Sequence, residues 1–393
     1  MEARKVKILF MTPQCYPGPG GIPVYMRRLR EVLNEYTFSR GATVHCLSLN
    51  DTDENLSAHV RPVNATMFLG CGGNKARFVA RATRLAWCYR YDLAIVGLLG
   101  LAPAAYWLKL THLITSYTVV LHGLEAWVTA PAMARIAARN AQAIISTTNY
   151  TATQFSENNG IDSGKNRVIP LCIAESQAAI QARSHPVPQS GRDFTLLSVA
   201  RLESSERRKG IDTIIEAMPR IISAIPEARF LVVGGGDDRL RLEALIQKFG
   251  VADSVRLLGV VEDSVLQQLY RQCDVMVLPS QQEGFGIVFL EAMSYGKPCI
   301  GAAHGGVPEV IIDGNTGYLV SFGDSDAVAR CVVRLASDSN LATRMGMAGL
   351  QRVLSHYCYE SFCTNFTELF DELIFASRTK GNEASILSRV DPS

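Results

Sequence analysis

From residue 194 onward, short apolar runs alternate with amphipathic stretches. "FTLLSVA", "RFLVVGG", "VRLLGV", "DVMVLPS", "PCIGAA" and "GYLV" are near-continuous apolar segments of strand length. Between them lie "GIDTIIEAMPRIISA", "DRLRLEALIQKFG" and "EDSVLQQLYRQ", whose apolar residues recur at helical spacing. Strands that are hydrophobic on both faces and alternate with helices predict a parallel sheet covered on both sides. The first half repeats the pattern less regularly, with "VKILFM", "TVHCLSL", "YDLAIVGLL", "TVVLHG", "QAIISTT" and "RVIPL" as candidate strands. Residues 93–108, "LAIVGLLGLAPAAYWL", are interrupted by Gly97, Gly100 and Pro103. They read as a buried strand, a turn and the next helix, because a bilayer span needs about 18 or more uninterrupted apolar residues. The predicted fold class is α/β, with two doubly wound, Rossmann-like domains facing across a cleft. In such sheets ligands bind outside the carboxyl ends of the strands, and the glycine-rich and polar loops here fall at those ends.

Composition agrees with two domains. A chain of 393 residues exceeds one ordinary core, and 48% hydrophobic with 19% charged residues suits a large interior. The 10 cysteines are scattered without a CxxC pair, which predicts reduced thiols in a cytoplasmic protein, not a zinc site or a disulfide framework. The N-terminal "MEARKVKILFM" is basic, but its apolar run is short and Pro13 follows at once, so no signal peptide is expected.

Net charge is +2, yet residues 1–190 hold 19 Lys and Arg against 11 Asp and Glu, leaving the remainder acidic. A basic half can face an anionic substrate or an anionic membrane surface. "NKARFVARATRLAWCYR" concentrates this charge, with Arg77, Arg81 and Arg84 at helical spacing beside Phe78, Leu85 and Trp87. No basic stripe carries regularly interleaved aromatics, so no nucleic-acid partner is expected.

The chemistry concentrates at 279–298, "PSQQEGFGIVFLEAMSYGKP", where Glu283 and Glu291 interrupt an apolar run. Carboxylates in such a setting need a partner, and the partner can be a ligand. "VMVLPS" reads as a strand, "QQEGFG" as a turn and "IVFLEAMSY" as a helix capped by Gly296. A glycine-rich turn opening a helix presents free N–H groups that suit phosphate. One ligand touches both glutamates only if it spans the helix start. A nucleotide sugar does so, with hydroxyls at both ends and phosphates between.

The run "EGFGIVFLEAMSYGKPCI…GGVPEVIIDGNTGYLV" closely resembles the signature of family 4 of the retaining glycosyltransferases, which have the two-domain GT-B fold. "SVARLESSERRKGIDTIIEAM" resembles that family's diphosphate segment, "PGGIPVYMRRL" its N-terminal glycine loop and "VVLHGLEAW" the strand end with its active-site histidine. In place of the family's usual Pro-Asn-Gly before the linker stands Pro170-Leu171-Cys172.

The resemblance implies the following roles. Arg201 and Lys209 neutralise the donor diphosphate, and Glu283 lies by the donor sugar. Glu291 binds the nucleotide ribose, assisted by Gly284, Phe285, Gly286 and Ile287 in donor binding. His122 lines the sugar pocket, and Gly20 and Gly21 let backbone amides approach the diphosphate. It implies an N-terminal acceptor-binding domain over 1–183 and a nucleotide-sugar-binding domain over 184–355. A C-terminal helix over 356–377 is expected to return towards the first domain, and the composition of "RTKGNEASILSRVDPS" predicts a disordered tail at 378–393.

The expected activity is retaining transfer of a hexosyl group from a nucleotide sugar to an acceptor hydroxyl, in polysaccharide or glycolipid biosynthesis. The partners implied are the donor and a sugar or lipid-linked acceptor. No cofactor and no metal are expected. Asp51-Thr52-Asp53 matches an Asp-x-Asp metal pattern of a different glycosyltransferase fold, but here it follows a strand in a polar loop. Gly234-Gly235-Gly236 lacks the ending of a P-loop, and Asp237-Asp238 after it is expected to cap a helix. Two other classes compete: a sugar-nucleotide epimerase of the same fold, which needs no acceptor, and a non-catalytic nucleotide-sugar binder. The intact basic pair and both glutamates argue against the second.

Overall fold

The computed structural model describes residues 5–16, 20–59, 66–183 and 193–387. Residues 184–192, at the start of the expected second domain, thus fall outside the described residues, as do Pro19 of the glycine loop and residues 388–393 of the expected tail. The chain divides into two compact units, Met1–Leu171 with Phe362–Ser393, and Cys172–Ser361.

The first unit contains β1 (Lys7–Thr12), β2 (Thr43–Ser48), β3 (Thr66–Gly70), β4 (Tyr91–Val96), β5 (Ile114–Leu121), β6 (Ala143–Ser146) and β7 (Asn166–Val168). They form one sheet in the order β3-β2-β1-β4-β5-β6-β7, parallel throughout. Ile8 of β1 pairs with Val44 on one side and Leu93 on the other. Its helices are α1 (Gly21–Arg40), α2 (Asp53–His59), α3 (Lys75–Tyr89), α4 (Ala102–Leu110), α5 (Ala132–Asn140) and α6 (Asn149–Asn159). Every residue of β4 is buried, as expected for a central strand covered on both faces.

The second unit contains α7 (Gln177–Arg183), β8 (Thr195–Val199), α8 (Ile211–Ala224), β9 (Arg229–Val233), α9 (Arg239–Lys248), β10 (Val255–Gly259), α10 (Asp263–Gln272) and β11 (Val275–Leu278). It continues with α11 (Ile287–Met293), β12 (Cys299–Ala302), α12 (Val307–Val310), β13 (Gly317–Val320), α13 (Ser325–Ser337) and α14 (Ser339–His356). Its parallel sheet runs β10-β9-β8-β11-β12-β13. The last helix, α15 (Tyr359–Leu387), belongs to the first unit from Phe362 on. There Phe362 meets Tyr25 and Phe370 meets Tyr36 edge-on, at 5.4 and 5.5 Å, and the Tyr36 hydroxyl donates to Asp371 at 2.7 Å.

These boundaries differ from those expected. Residues 172–183 go with the second unit, because the Ile173 N–H donates to the Tyr357 carbonyl at 2.9 Å and Ile180 is fully buried. The helix of α15 also continues past residue 378, where composition predicted a disordered tail. No proline interrupts that stretch before Pro392, so no helical N–H is removed there.

Both sheets reverse their strand order once, between β1 and β4 in the first and between β8 and β11 in the second. Side chains from the loops after those strands converge at such a point.

Candidate functional site

In the second unit the loop after β8 is tied to the loop after β11. A 3-10 turn over Ser204–Lys209 ends at Gly210, whose φ of 77° is left-handed. A Cβ on Gly210 would collide with the Pro279 carbonyl, so this close approach needs glycine. The Gln281 N–H donates to the Arg208 carbonyl at 2.7 Å, and the Ser280 hydroxyl donates to the same oxygen at 3.2 Å. The Gly306 N–H, from the loop after β12, donates to the Glu283 carbonyl at 2.9 Å. Three strand ends are thus stitched together around Glu283.

Within this frame Lys209 Nζ lies 2.7 Å from Glu283 Oε2, with both side chains less than one-fifth exposed. Arg201 is more open, at 57% side-chain exposure, and pairs with Glu206 at 3.0 Å. Arg208 reaches the same carboxylate at 3.5 Å. Arg207 turns to Asp238 at 2.9 Å, and Arg241 joins Asp238 to Asp212, with 2.6 Å to the latter. Of the three consecutive basic residues, Lys209 is the one whose side chain pairs with Glu283. Asp238 occupies the N-cap of α9 but does not cap it with its side chain. Hydrogen bonds from Arg241 and Arg207 hold its carboxyl below its ordinary range. The expected capping role gives way because guanidinium donors are stronger partners than backbone amides.

Gly284, Phe285, Gly286 and Ile287 continue the loop into α11. Gly286 has a φ of 90° at the N-cap, and Phe285 is buried with its ring edge-on to Tyr357 at 5.9 Å. At 7 residues α11 is short, so the dipole contribution expected from the sequence is small.

Glu291 lies in α11. Part of the residue remains accessible, but its carboxyl is packed deeply enough that burial pushes it up to about 7. A hydrogen bond from Tyr270 opposes this, whereas the negative charges of Glu175 and Asp263 add to it. The Tyr270 hydroxyl donates to Glu291 Oε2 at 2.6 Å, and its ring stacks on Tyr295 with 6.2 Å between centroids. Tyr270 went unnoticed in the sequence. The available signal was a tyrosine on the apolar stripe of "LQQLYRQ", since a buried phenol seeks a partner.

In the first unit, β5 delivers His122. Its backbone N–H donates to Glu125 at 2.6 Å, and its Nε2 lies 2.8 Å from the Gly97 carbonyl, which follows β4. A carbonyl only accepts, so the proton resides on Nε2 and Nδ1 keeps its lone pair. Burial lowers the pKa of the ring, against the opposing effects of Glu125 and Gly97, so the imidazole is neutral at pH 7. Tyr25 of α1 contacts the ring edge-on at 5.2 Å.

Gly20 and Gly21 open α1, with Gly20 at a φ of 128° that disfavours any side chain. The chain before them is held by Asp51, which is fully buried. Its carboxylate accepts from the N–H groups of Cys15 at 2.7 Å and Tyr16 at 2.8 Å, and from the Ser48 hydroxyl at 2.6 Å. Asp53 instead pairs with Arg81 at 3.1 Å. The two aspartates read as an Asp-x-Asp pattern therefore serve separate tasks, and Asp51 holds the backbone of Cys15 and Tyr16.

Comparison with known proteins follows these same segments. Residues 181–352 match the family model described as "Glycosyl transferases group 1", and residues 19–177 match "Glycosyltransferase Family 4". Among curated relatives, N-acetyl-alpha-D-glucosaminyl L-malate synthase of Bacillus anthracis is 33% identical over 42% of this chain and 43% of its own length. The GDP-mannose-dependent alpha-(1-6)-phosphatidylinositol monomannoside mannosyltransferase of Mycobacterium tuberculosis is 31% identical over 53% of each chain. The chain thus spans about half the length of these curated relatives. Among solved structures, Anabaena HepE in complex with UDP superposes with a TM-score of 0.74 at 21% identity, covering 93% of this chain and 100% of that one. At that identity the likeness speaks for the fold alone.

Proposed function

Because the chain belongs to the family-4 glycosyltransferases with the two-domain GT-B fold, we propose that it transfers a sugar, with retention at the anomeric carbon, from a nucleotide sugar to an acceptor hydroxyl. The observation that carries this is the Lys209–Glu283 pair at the switch point of the second sheet. The lysine has a preorganised position and a counter-ion that a diphosphate can replace. Lys209 and the open guanidinium of Arg201 neutralise the diphosphate as it departs. Glu283, released from the lysine, accepts hydrogen bonds from the donor sugar's hydroxyls, and Glu291 takes the ribose. His122, neutral and with Nδ1 as an acceptor, receives a sugar hydroxyl.

The bond from the anomeric carbon to the diphosphate oxygen breaks, and the acceptor oxygen bonds to that carbon on the same face. The acceptor's proton passes to the departing diphosphate. Two side-chain cations fill the role a divalent metal would otherwise have, so the reaction is proposed to be independent of added metal.

The acceptor is proposed to be lipid-linked, in glycolipid or polysaccharide synthesis. The relative from Mycobacterium tuberculosis is named for a phosphatidylinositol mannoside acceptor. Among the described residues no helix is long and apolar enough to cross a membrane. Association would be peripheral, at the cytoplasmic face, through the first unit. Between Asn74 and Leu124 the one acidic residue is Asp92, which is buried. The exposed side chains of Trp87, Trp107, Leu110 and Met133 lie on α3, α4 and α5 with Lys75, Arg77, Arg84 and Arg135. Arg81 does not contribute as its spacing suggested, because Asp53 and the Gly70 carbonyl hold it.

The test is turnover of nucleotide sugars in excess EDTA by wild type, Arg201→Ala and Lys209→Ala. Wild type should be active, and each variant should lose about a hundredfold or more in kcat, the scale of one lost transition-state donor. Near-normal turnover in both variants would exclude the diphosphate assignment.

A further inference from the structure

Tyr270 is buried on α10 and has its hydroxyl 2.6 Å from Glu291 Oε2. Among the described residues it is the side-chain hydrogen-bond donor to that carboxylate, which leaves Oε1 for another partner. We propose that Tyr270 is the positioning residue of the nucleotide site, fixing one oxygen of Glu291 so that the other meets the vicinal hydroxyls of the ribose. The inference rests on Glu291 being the ribose carboxylate.

The geometry favours this over simple core filling. A glutamate side chain has rotatable bonds whose freedom must be lost when it binds a ligand. A short hydrogen bond to a rigid phenol, itself held by the stacked ring of Tyr295, removes that freedom before the ligand arrives. The phenol also favours the charged carboxylate. The groups that act on Glu291 are otherwise acidic, with Asp263 at the start of α10 and Glu175 just before α7. Around Tyr270 itself lie Cys273 and Cys299, both buried. A neighbourhood of this sign makes ionisation of Glu291 costly near neutral pH, and Tyr270 is the group that eases it. The phenol's own pKa is raised well above its ordinary value by burial and by Glu291, so it stays protonated as a donor throughout the range in which the carboxyl titrates.

The phenol and the ribose therefore act on one carboxylate from two sides. Removing the hydroxyl while keeping the ring should move the pH at which the site becomes competent, not only its overall strength. Packing alone would not do this.

The experiment is calorimetric titration with intact nucleotide sugars, whose doubly esterified diphosphate does not itself titrate in this range. UDP-glucose, GDP-mannose and ADP-glucose are screened first, and the tightest is carried through wild type, Tyr270→Phe and Glu291→Gln between about pH 5.5 and about pH 9. Wild-type affinity should rise through neutral pH, and Glu291→Gln should be weak and flat. Tyr270→Phe should bind about tenfold more weakly than wild type near pH 7, recover part of that loss by about pH 9 while the lost positioning persists, and show a raised donor KM with kcat little changed.

If Glu291→Gln is weakened and Tyr270→Phe keeps the wild-type pH profile, the phenol does not position the carboxylate. A Tyr270→Phe loss that is equal at every pH, with the thermal midpoint lowered in parallel, assigns Tyr270 to packing and overturns the inference. Wild-type affinity in Glu291→Gln refutes the ribose reading and the inference with it, a failure distinguishable from the other two.

Discussion

At the scale of the residue, Glu291 shows how a site is held ready at the expense of stability. Its carboxyl titrates near 7 in the folded protein, against an ordinary value of 4.5. Between those values the native state binds more protons than the unfolded chain, so stability falls as pH rises across that window. Glu291→Gln keeps the acceptor for Tyr270 and abolishes the titration. The ligand-free variant should therefore be more stable than wild type above neutral pH, by about 1–3 kcal/mol given partial solvent access. Below about pH 4 the advantage should vanish. Chemical denaturation at both pH extremes measures this, and equal wild-type and variant stability at the higher pH would contradict the raised titration. At His122 the same preference of burial for the neutral form costs nothing at neutral pH. Its ring is kept neutral, and its tautomer is fixed by the Gly97 carbonyl.

At the scale of the element, the close approach of the β8 and β11 loops depends on Gly210. Gly210→Ala meets two penalties, a left-handed φ of 77° and a clash with the Pro279 backbone. Gly41, with a φ of 63° and open space around its would-be Cβ, carries the first penalty alone. Alanine at Gly41 should cost about 1 kcal/mol, whereas at Gly210 it should cost about 3 kcal/mol and lower turnover as Lys209 and Glu283 are pushed apart. Urea unfolding and kcat/KM of the two variants test this. Equal costs at both positions would show that the loop contact can yield.

The same elements show what the sequence made legible. All six strands of the second sheet were read from apolar runs, and the pattern is clearest in β11 and β12, which are buried at every residue. In the first sheet β3 was not recognised. It is an edge strand with one neighbour, it is only five residues long, and its Met67 is 38% exposed, so its apolar signal is weak. The glutamate loop was visible because its motif is contiguous. Tyr270 and Asp51 were not seen as parts of the site, since each acts on residues distant in sequence, and local pattern carries no such pairing.

At the scale of the whole molecule, charge is distributed between the halves of the chain rather than balanced within each. Residues 1–190 carry an excess of 8 positive charges, while the remainder is acidic by 6. In the first unit this charge coincides with exposed apolar side chains. Trp87 is 68% exposed and Leu110 59%, and the guanidinium of Arg90 lies 5.5 Å from the Trp87 ring. Aromatic rings beside cations suit the headgroup region of an anionic bilayer, where each nearby Lys or Arg contributes about 1 kcal/mol. A few such charges give docking that is weak and dissolves with salt. The protein should therefore sediment with phosphatidylserine or phosphatidylinositol vesicles at low ionic strength and remain in the supernatant in about 0.5 M salt. An Arg77→Ala/Arg84→Ala pair should weaken this several-fold, and Trp87→Ala with Trp107→Ala should weaken it further without altering the salt dependence. Arg81→Ala is the informative contrast, because it should act through loss of the Asp53 pair on stability and not on vesicle binding. If the wild type stays in the supernatant at low salt, the acceptor is delivered in solution and the apolar side chains on α3, α4 and α5 have another use. If Arg81→Ala releases the protein from vesicles as strongly as the Arg77/Arg84 pair, the docking face is centred elsewhere on α3.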